Sequence, residues 1–153
     1  MKVLKYLILF LIINFGALAI GNWLMANGPQ TEWYINLNKA PWTPPGWVFG
    51  AAWTAIMICF SIYMAFLLKD FWSNKLIVLF TVQFILNVIW NYIFFNQHLM
   101  ALGLAVIIGL TAVITIFLYD YRKDLKIKSL LIVPYFLWLC IATSLNMYIV
   151  INN

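Results

Sequence analysis

The sequence predicts an all-α membrane protein, a bundle of five transmembrane helices, from three observations. Hydrophobic residues make up 66% of the 153 residues and charged residues only 8%, whereas soluble domains carry about 25% charged residues. The mean hydropathy is +0.98. Charges and prolines divide the chain into five apolar runs, each close to the roughly 20 residues that cross a bilayer. We expect one domain over residues 1–153.

The five predicted helices are the apolar runs at about residues 4–25, 46–68, 75–95, 99–119 and 129–151. The first run follows Lys2 and Lys5, so a cleaved signal peptide is the alternative for it. A signal core typically has roughly 7 to 15 apolar residues, and this run is longer. We therefore interpret it as a retained helix. The second run begins beside Pro45, which is compatible with the first turn of a helix.

Basic residues are distributed unevenly between the two ends of the predicted helices. Basic residues in short loops remain on the cytoplasmic side of a membrane. Only Lys39 falls at the opposite end from the other eight: Lys2, Lys5, Lys69, Lys75, Arg122, Lys123, Lys126 and Lys128. The pattern predicts a cytoplasmic N-terminus and an external C-terminus. This topology explains the net charge of +5, so we expect no nucleic-acid partner.

No Asp, Glu, Lys, Arg or His lies well inside any of the five runs. Ion-coupled transporters, proton pumps and metal carriers place such groups at depth, so these classes are disfavoured. His98, the only histidine, falls in a short predicted turn and is assigned no metal. Cys59 and Cys140 lie among apolar residues without the spacing of a metal or redox pair. We predict no metal site and no required cofactor.

Polar and aromatic residues on the third run share one helical face. The spacing i, i+4, i+7, i+8, i+11 is that of an inward face, and its members are Gln83, Asn87, Trp90, Asn91 and Phe94. For Gln83 and Asn91, hydrogen bonding between helices is an equally good explanation. Asn87 and Trp90 are better ligand candidates, because they fall in the outer half of the helix.

The fifth run has a similar face, on which the small Ala142 leaves space beside Trp138. The other members of this face are Pro134, Leu145 and Asn146. Pro134 is expected to bend the helix, because proline removes one hydrogen bond of a helix interior. On the second run, Trp53 and Met57 fall on one face. Trp53, Trp90 and Trp138 lie too deep for the interfacial aromatic belt, although plain packing is the alternative for each.

Residues 26–44, hereafter loop 1, form the only long connection. Its aromatic residues, among them Trp33, Tyr34 and Trp42, make it too apolar for a free linker. Loops of this length commonly serve as lids or binding loops. We expect loop 1 to fold over the outer opening of the bundle as a lid.

Four segments resemble the TspO/MBR family of tryptophan-rich sensory proteins and translocator proteins, also called peripheral-type benzodiazepine receptors. They are Trp33–Tyr34, Lys39–Thr54 with the motif WxPPxW, Asn87–Phe95 with the motif WNxxFF, and Pro134–Trp138 with the motif PYxxW, continuing to Leu145–Asn146. The resemblance covers nearly the whole chain, and the combination of motifs is highly specific. The chain is similar to bacterial members, which implies the bacterial cell membrane as its location.

The resemblance implies a five-helix bundle, usually a homodimer, that binds protoporphyrin IX and other porphyrins, sterols and benzodiazepine-type drugs within membrane lipid. In bacterial members it also implies light- and oxygen-dependent porphyrin breakdown, which would place catalytic roles on Trp53 and Trp138. In the family's sterol motif a basic residue follows the tyrosine, but no Lys or Arg follows Tyr148 in this chain. This absence argues against strong sterol binding. A tetrapyrrole or lipid carrier without chemistry is the alternative. The predicted ligand-binding residues are Tyr34, Pro44, Trp47, Phe49, Gly50, Trp53, Met57, Gln83, Asn87, Trp90, Asn91, Phe94, Trp138, Ala142, Leu145 and Asn146.

Overall fold

A computed structural model describes residues 2–153, so Met1 of the predicted domain lies outside the described residues. The described chain is all-helical and has five helices long and apolar enough to span a membrane. This confirms the predicted fold class. The long helices are α1 (Lys2–Met25), α3 (Gly46–Asp70), α4 (Asn74–Asn91), α5 (Met100–Asp120) and α7 (Val133–Asn152); the short α2 (Glu32–Ile35) and α6 (Arg122–Leu125) lie in connections.

The five long helices form a closed ring. Around the ring α3 contacts α1, α1 contacts α4, α4 contacts α5, α5 contacts α7, and α7 returns to α3. The half of the ring near the N-terminus is filled by side chains that are 0% exposed, including Met57, Phe60, Tyr63, Phe117 and Leu139. Dense packing at this end confines any internal space to the opposite end, where loop 1 lies.

Among residues 2–153, three fully buried side-chain hydrogen bonds join the long helices. Asn14 Nδ2 donates to Ser61 Oγ at 2.8 Å, between α1 and α3. Gln83 Nε2 donates to the Tyr135 hydroxyl at 2.9 Å, and a further bond runs from Tyr63 to a main-chain oxygen of α5. Such bonds between transmembrane helices contribute roughly 0.6 to 2 kcal/mol each. They fix the rotation of the helices about their axes, which decides which faces point inward.

The last long helix differs from its prediction. Residues Lys126–Ile132 form a 3₁₀ segment, and α7 begins only at Val133. Pro134 therefore lies in the first turn of α7, and the expected bend within a helix is wrong. The physical reason is that a first-turn residue has no N–H partner to lose, so proline is best tolerated there.

The C-terminal end of α4 widens into a π-helical turn, Tyr92–Asn96. Phe94 in this turn is 2% exposed and stacks on Trp90, with ring centroids 5.4 Å apart. Gly28 of loop 1 approaches the same turn, because a Cβ on Gly28 would lie 2.6 Å from Phe95 Cδ1. Loop 1 is thus seated on the π turn through a contact that only glycine permits.

We expect Gly28→Ala to lower the unfolding free energy by about 1–3 kcal/mol, the usual cost of an added methyl group that neighbours cannot accommodate. Thermal unfolding of the purified protein in detergent measures the change as a lower Tm. Gly16→Ala is the matched control, because a Cβ on Gly16 meets no atom within 4 Å and alanine favours the helix by about 0.5–1 kcal/mol. Equal Tm values for the two variants would contradict the tight seat at Gly28.

Candidate ligand-binding cavity

A cavity of about 740 Å³ occupies the loop-1 half of the bundle. Pockets for drug-sized ligands have about 300–1,000 Å³. All five long helices and loop 1 contribute to its wall. Thirteen of the sixteen predicted ligand-binding residues line it: Tyr34, Pro44, Phe49, Gly50, Trp53, Asn87, Trp90, Asn91, Phe94, Trp138, Ala142, Leu145 and Asn146.

Three predicted ligand-binding residues do not line the cavity. Trp47 is 75% exposed on the outer surface of α3. Met57 is 0% exposed and belongs to the packed core. Gln83 donates a hydrogen bond to Tyr135 in the same packed region. This is the hydrogen bonding between helices that was the alternative explanation for Gln83. The cavity therefore ends about one helical turn beyond Trp53 on α3.

Two indoles stand in the cavity wall at the seam between α3 and α7. Trp138 is 8% exposed, and Phe49 meets it edge-on with ring centroids 5.3 Å apart. Trp53 meets Tyr135 edge-on at 5.8 Å. Edge-on partners hold each indole in one orientation, because aromatic pairs prefer this geometry. The π-faces of both tryptophans are thus fixed before any ligand arrives.

Amides are the commonest polar groups of the wall. Asn87 and Asn146 are each 5% exposed, and Asn146 Nδ2 donates to the main-chain oxygen of Ala142 at 3.1 Å. Among residues 2–153, Asn146 Oδ1 and Trp90 Nε1 have no hydrogen-bond partner. An unpaired buried polar atom costs roughly 1–3 kcal/mol, so a ligand that pairs with either atom gains from doing so.

Loop 1 covers the end of the cavity, as predicted for a lid. Pro29, Gln30, Tyr34, Lys39, Thr43 and Pro44 of this loop all line the cavity. Asn38 N donates to Asn153 Oδ1 at 2.8 Å, and Asn153 Nδ2 donates back to Asn38 O at 3.2 Å. Trp42 Nε1 donates to Ser144 Oγ at 3.2 Å. These bonds fasten the loop to α7.

Lys39 lies at this covered end, with its charge held in place by the loop. Its Nζ donates to the main-chain oxygens of Tyr34 and Ile35 at 2.8 and 2.9 Å. Burial raises the pKa of the Tyr34 phenol above its ordinary value, so the hydroxyl stays protonated at neutral pH. Lys39 and Tyr34 therefore present a cation and a neutral hydroxyl to a ligand, and neither of them presents a negative charge.

His98 is exposed and does not line the cavity. Its φ of 57° turns the chain between α4 and α5. The imidazole stacks on Trp33 with ring centroids 4.0 Å apart and planes tilted by 11°. Its visible role is therefore to hold loop 1 against the α4–α5 turn.

The TspO/MBR family profile matches residues 8–151. The tryptophan-rich protein TspO of Archaeoglobus fulgidus is 35% identical over 136 residues, which are 87% of each chain. The tryptophan-rich sensory protein of Cereibacter sphaeroides is 32% identical over 75% of this chain and 73% of its own. The human translocator protein is 30% identical over 78% of this chain and 74% of its own. The chain belongs to the TspO/MBR family.

Membership in the TspO/MBR family, together with the five apolar helices, makes this an integral membrane protein. The relatives are named sensory and translocator proteins, which supports a receptor or sensor role in general terms. Most of its remaining tryptophans are at helix ends or in the connections and are well exposed: Trp23, Trp42, Trp47 and Trp72. This distribution is typical of an interfacial aromatic belt.

The wall formed by α1 is one part of this TspO/MBR cavity that was not predicted from the sequence. Ala17, Leu18, Asn22 and Met25 line the cavity. A signal was available, because Asn14, Leu18 and Asn22 recur every four residues and so share one helical face. Lys39 also lines the cavity without having been predicted to do so, because in the sequence its charge indicates only the topology.

Proposed function

We propose that this TspO/MBR protein is a membrane receptor for porphyrins of the protoporphyrin IX class and similar flat hydrophobic ligands, including benzodiazepine-type drugs. We further propose that light and oxygen drive degradation of the bound porphyrin. The observation that carries the proposal is the covered cavity of about 740 Å³ with Trp53 and Trp138 in its wall. Indole faces favour flat aromatic ligands through stacking, and burial of apolar surface supplies most of the affinity.

The carboxylates of a porphyrin have a suitable partner in Lys39. A ligand that places its ring between the indoles and its carboxylates toward loop 1 brings them near the Lys39 ammonium, which also lines the cavity. The three protons of the Lys39 ammonium are already donated to the main-chain oxygens of Tyr34, Ile35 and Leu37, so a carboxylate gains charge attraction rather than a new hydrogen bond. Because Lys39 is partly exposed, we expect the pair to contribute about 1 kcal/mol rather than more.

Protoporphyrin IX is therefore expected to bind about fivefold more tightly than its dimethyl ester. This ratio corresponds to a difference of about 1 kcal/mol in binding free energy. Quenching of tryptophan fluorescence during titration in detergent measures both affinities. Lys39→Gln is expected to remove the difference while leaving the affinity for the ester within about twofold. Lys123→Gln, at the other end of the bundle, is the control. No saturable quenching of the unmodified protein by either compound would overturn the proposed function.

A carrier that moves tetrapyrroles or lipids without chemistry is the second candidate. Several residues of the cavity wall are accessible to solvent rather than sealed in the bundle, including Asn22 and Gly50. A cavity open in this way lets a ligand leave unchanged. Degradation of the bound porphyrin under light separates the two candidates.

We also propose that the N-terminus is cytoplasmic and that the C-terminus faces outward. Support comes from the basic end of the bundle, where Lys75 Nζ lies 2.6 Å from Asp120 Oδ2 and Lys128 Nζ lies 4.0 Å from the Phe66 ring centre. Basic residues collect on the cytoplasmic side because translocating them is disfavoured.

In intact cells, a cysteine at position 153 is expected to react with an impermeant maleimide and one at position 126 to remain unlabelled. The variants are Asn153→Cys and Lys126→Cys in a background with Cys59 and Cys140 replaced by alanine. Both should react after the cells are permeabilised. Labelling of position 126 but not 153 in intact cells would reverse the topology.

A further inference from the structure

The connection between α5 and α7, residues 121–132 and hereafter the basic connection, buries one face and exposes the other. Its buried side chains are Tyr121, Leu125, Ser129 and Ile132. They hold the segment against the bundle, where it contacts α3, α5 and α7. The other face is exposed, and none of its residues lines the cavity: Arg122, Lys123, Asp124, Lys126, Ile127, Lys128 and Leu130.

The basic connection lies at the edge of the hydrocarbon core of the membrane rather than within it. The helix before it, α5, has 21 residues, and the helix after it, α7, has 20. At about 1.5 Å per residue each helix is about 30 Å long, which is the thickness of the hydrocarbon core. Because the two helices alone cross the core, the residues that join them lie in the headgroup region of the adjoining leaflet.

The exposed face of the basic connection carries an excess of positive charge. Its four basic residues, with Asp124 as the one acidic residue of the segment, leave a net charge of +3. Among residues 2–153, the two ion pairs join other residues, Lys69 to Asp70 and Lys75 to Asp120. The four cations of the basic connection therefore have no carboxylate at ion-pair distance in the described chain.

Two of these cations are held in place by aromatic rings of the neighbouring helices. The guanidinium carbon of Arg122 lies 4.0 Å from the centre of the Tyr119 ring on α5. Lys128 Nζ lies 4.0 Å from the centre of the Phe66 ring on α3. A ring attracts a cation without neutralising its charge, and a side chain that is already ordered loses less conformational entropy when it binds an anion.

Exposed apolar side chains adjoin the cations of the basic connection. Ile127, between Lys126 and Lys128, is 75% exposed, and Leu130 is 60% exposed. Segments that lie in a membrane interface combine basic residues with exposed apolar residues in this way. A soluble anion would leave both apolar side chains uncovered, whereas a phospholipid supplies a phosphate and acyl chains together.

We propose that the basic connection is a binding surface for anionic phospholipids of the adjoining leaflet. Arg122, Lys126 and Lys128 attract the headgroup phosphate, and Ile127 and Leu130 contact the acyl chains. Basic segments beside a membrane-spanning helix attract anionic lipids by charge. This surface needs neither the cavity nor a porphyrin, so the proposal is independent of the proposed function.

Competition between two lipids tests the surface. The purified protein in detergent is mixed with equal amounts of phosphatidylglycerol and phosphatidylcholine that carry the same acyl chains. Mass spectrometry of the intact complexes gives the ratio of the two lipids retained. We expect at least about a fivefold preference for phosphatidylglycerol, which one basic residue near a membrane surface can supply. Equal retention of the two lipids by the unmodified protein would overturn the proposal.

Neutralising part of the surface is the second arm of the experiment. Lys126→Gln combined with Lys128→Gln is expected to reduce the preference to about twofold or less. Lys2→Gln combined with Lys5→Gln is the matched control, because it removes the same charge from the same end of the bundle. The control should keep the preference of the unmodified protein. An equal loss in both double variants would show attraction by net charge alone, without a binding surface at the basic connection.

The apolar part of the surface separates a lipid from a soluble anion. Ile127→Ser combined with Leu130→Ser is expected to lower retention of both lipids about threefold and to preserve their ratio. Glycerol phosphate, which lacks acyl chains, should not displace phosphatidylglycerol at the same concentration. Displacement by glycerol phosphate would identify a site for soluble anions and contradict the lipid surface. Thermal unfolding in detergent checks that every variant is folded.

Discussion

Ala142→Phe is expected to weaken protoporphyrin IX binding at least about 100-fold, which corresponds to about 2.8 kcal/mol. Ala142 is 7% exposed and lies on the cavity wall one helical turn from both Trp138 and Asn146. A phenyl ring at this position occupies the space in front of the indole, and the packed neighbours have little freedom to yield. The ligand and the new side chain then compete for one volume.

Ile141→Phe is the matched control for this substitution. Ile141 is the preceding residue of α7, is 41% exposed, and does not line the cavity, so its replacement should leave the affinity within about twofold. Titration by tryptophan quenching measures the porphyrin affinity of both variants. Thermal unfolding checks that Ala142→Phe is folded. Affinity within threefold of the unmodified protein in a folded Ala142→Phe variant would place the ligand outside this cavity.

Replacing both Trp53 and Trp138 with phenylalanine is expected to abolish light-driven loss of the porphyrin absorption spectrum while affinity stays within about threefold. An indole can donate an electron to a photoexcited porphyrin, whereas a phenyl ring is much harder to oxidise. Phenylalanine keeps an aromatic face for stacking and preserves ring contacts with Tyr135 and Phe49, which now lie 5.8 and 5.3 Å from the indoles.

The measurement is absorbance under constant illumination in air, with porphyrin at saturating concentration so that affinity does not enter. Trp47→Phe is the control, because Trp47 is 75% exposed and away from the cavity; its rate should equal that of the unmodified protein. Removal of oxygen should stop the loss in every variant. Undiminished photodegradation by the double variant would remove the catalytic role and leave a receptor or carrier.

The sequence alone predicted the five helices and much of the cavity wall, because both depend on local patterns. Apolar runs of spanning length are read directly from the sequence, and each of the five expected runs corresponds to one long helix of the structure. The 3.6-residue period placed Asn87 and Trp90 on one face of α4 and Trp138 and Ala142 on one face of α7. These four residues line the same cavity.

Tertiary structure alone decided where the cavity ends and which helices enclose it. Met57 shares a face of α3 with Trp53, yet it is buried in the core, since periodicity gives the direction of a side chain but not the depth at which packing closes. The wall from α1 depends on the ring order, in which α1 lies between α3 and α4. Lys39 reaches the cavity only because loop 1 folds back over it. Contacts between segments distant in sequence determine all three features; the four-residue spacing on α1 marks a shared face but not the cavity that this face borders.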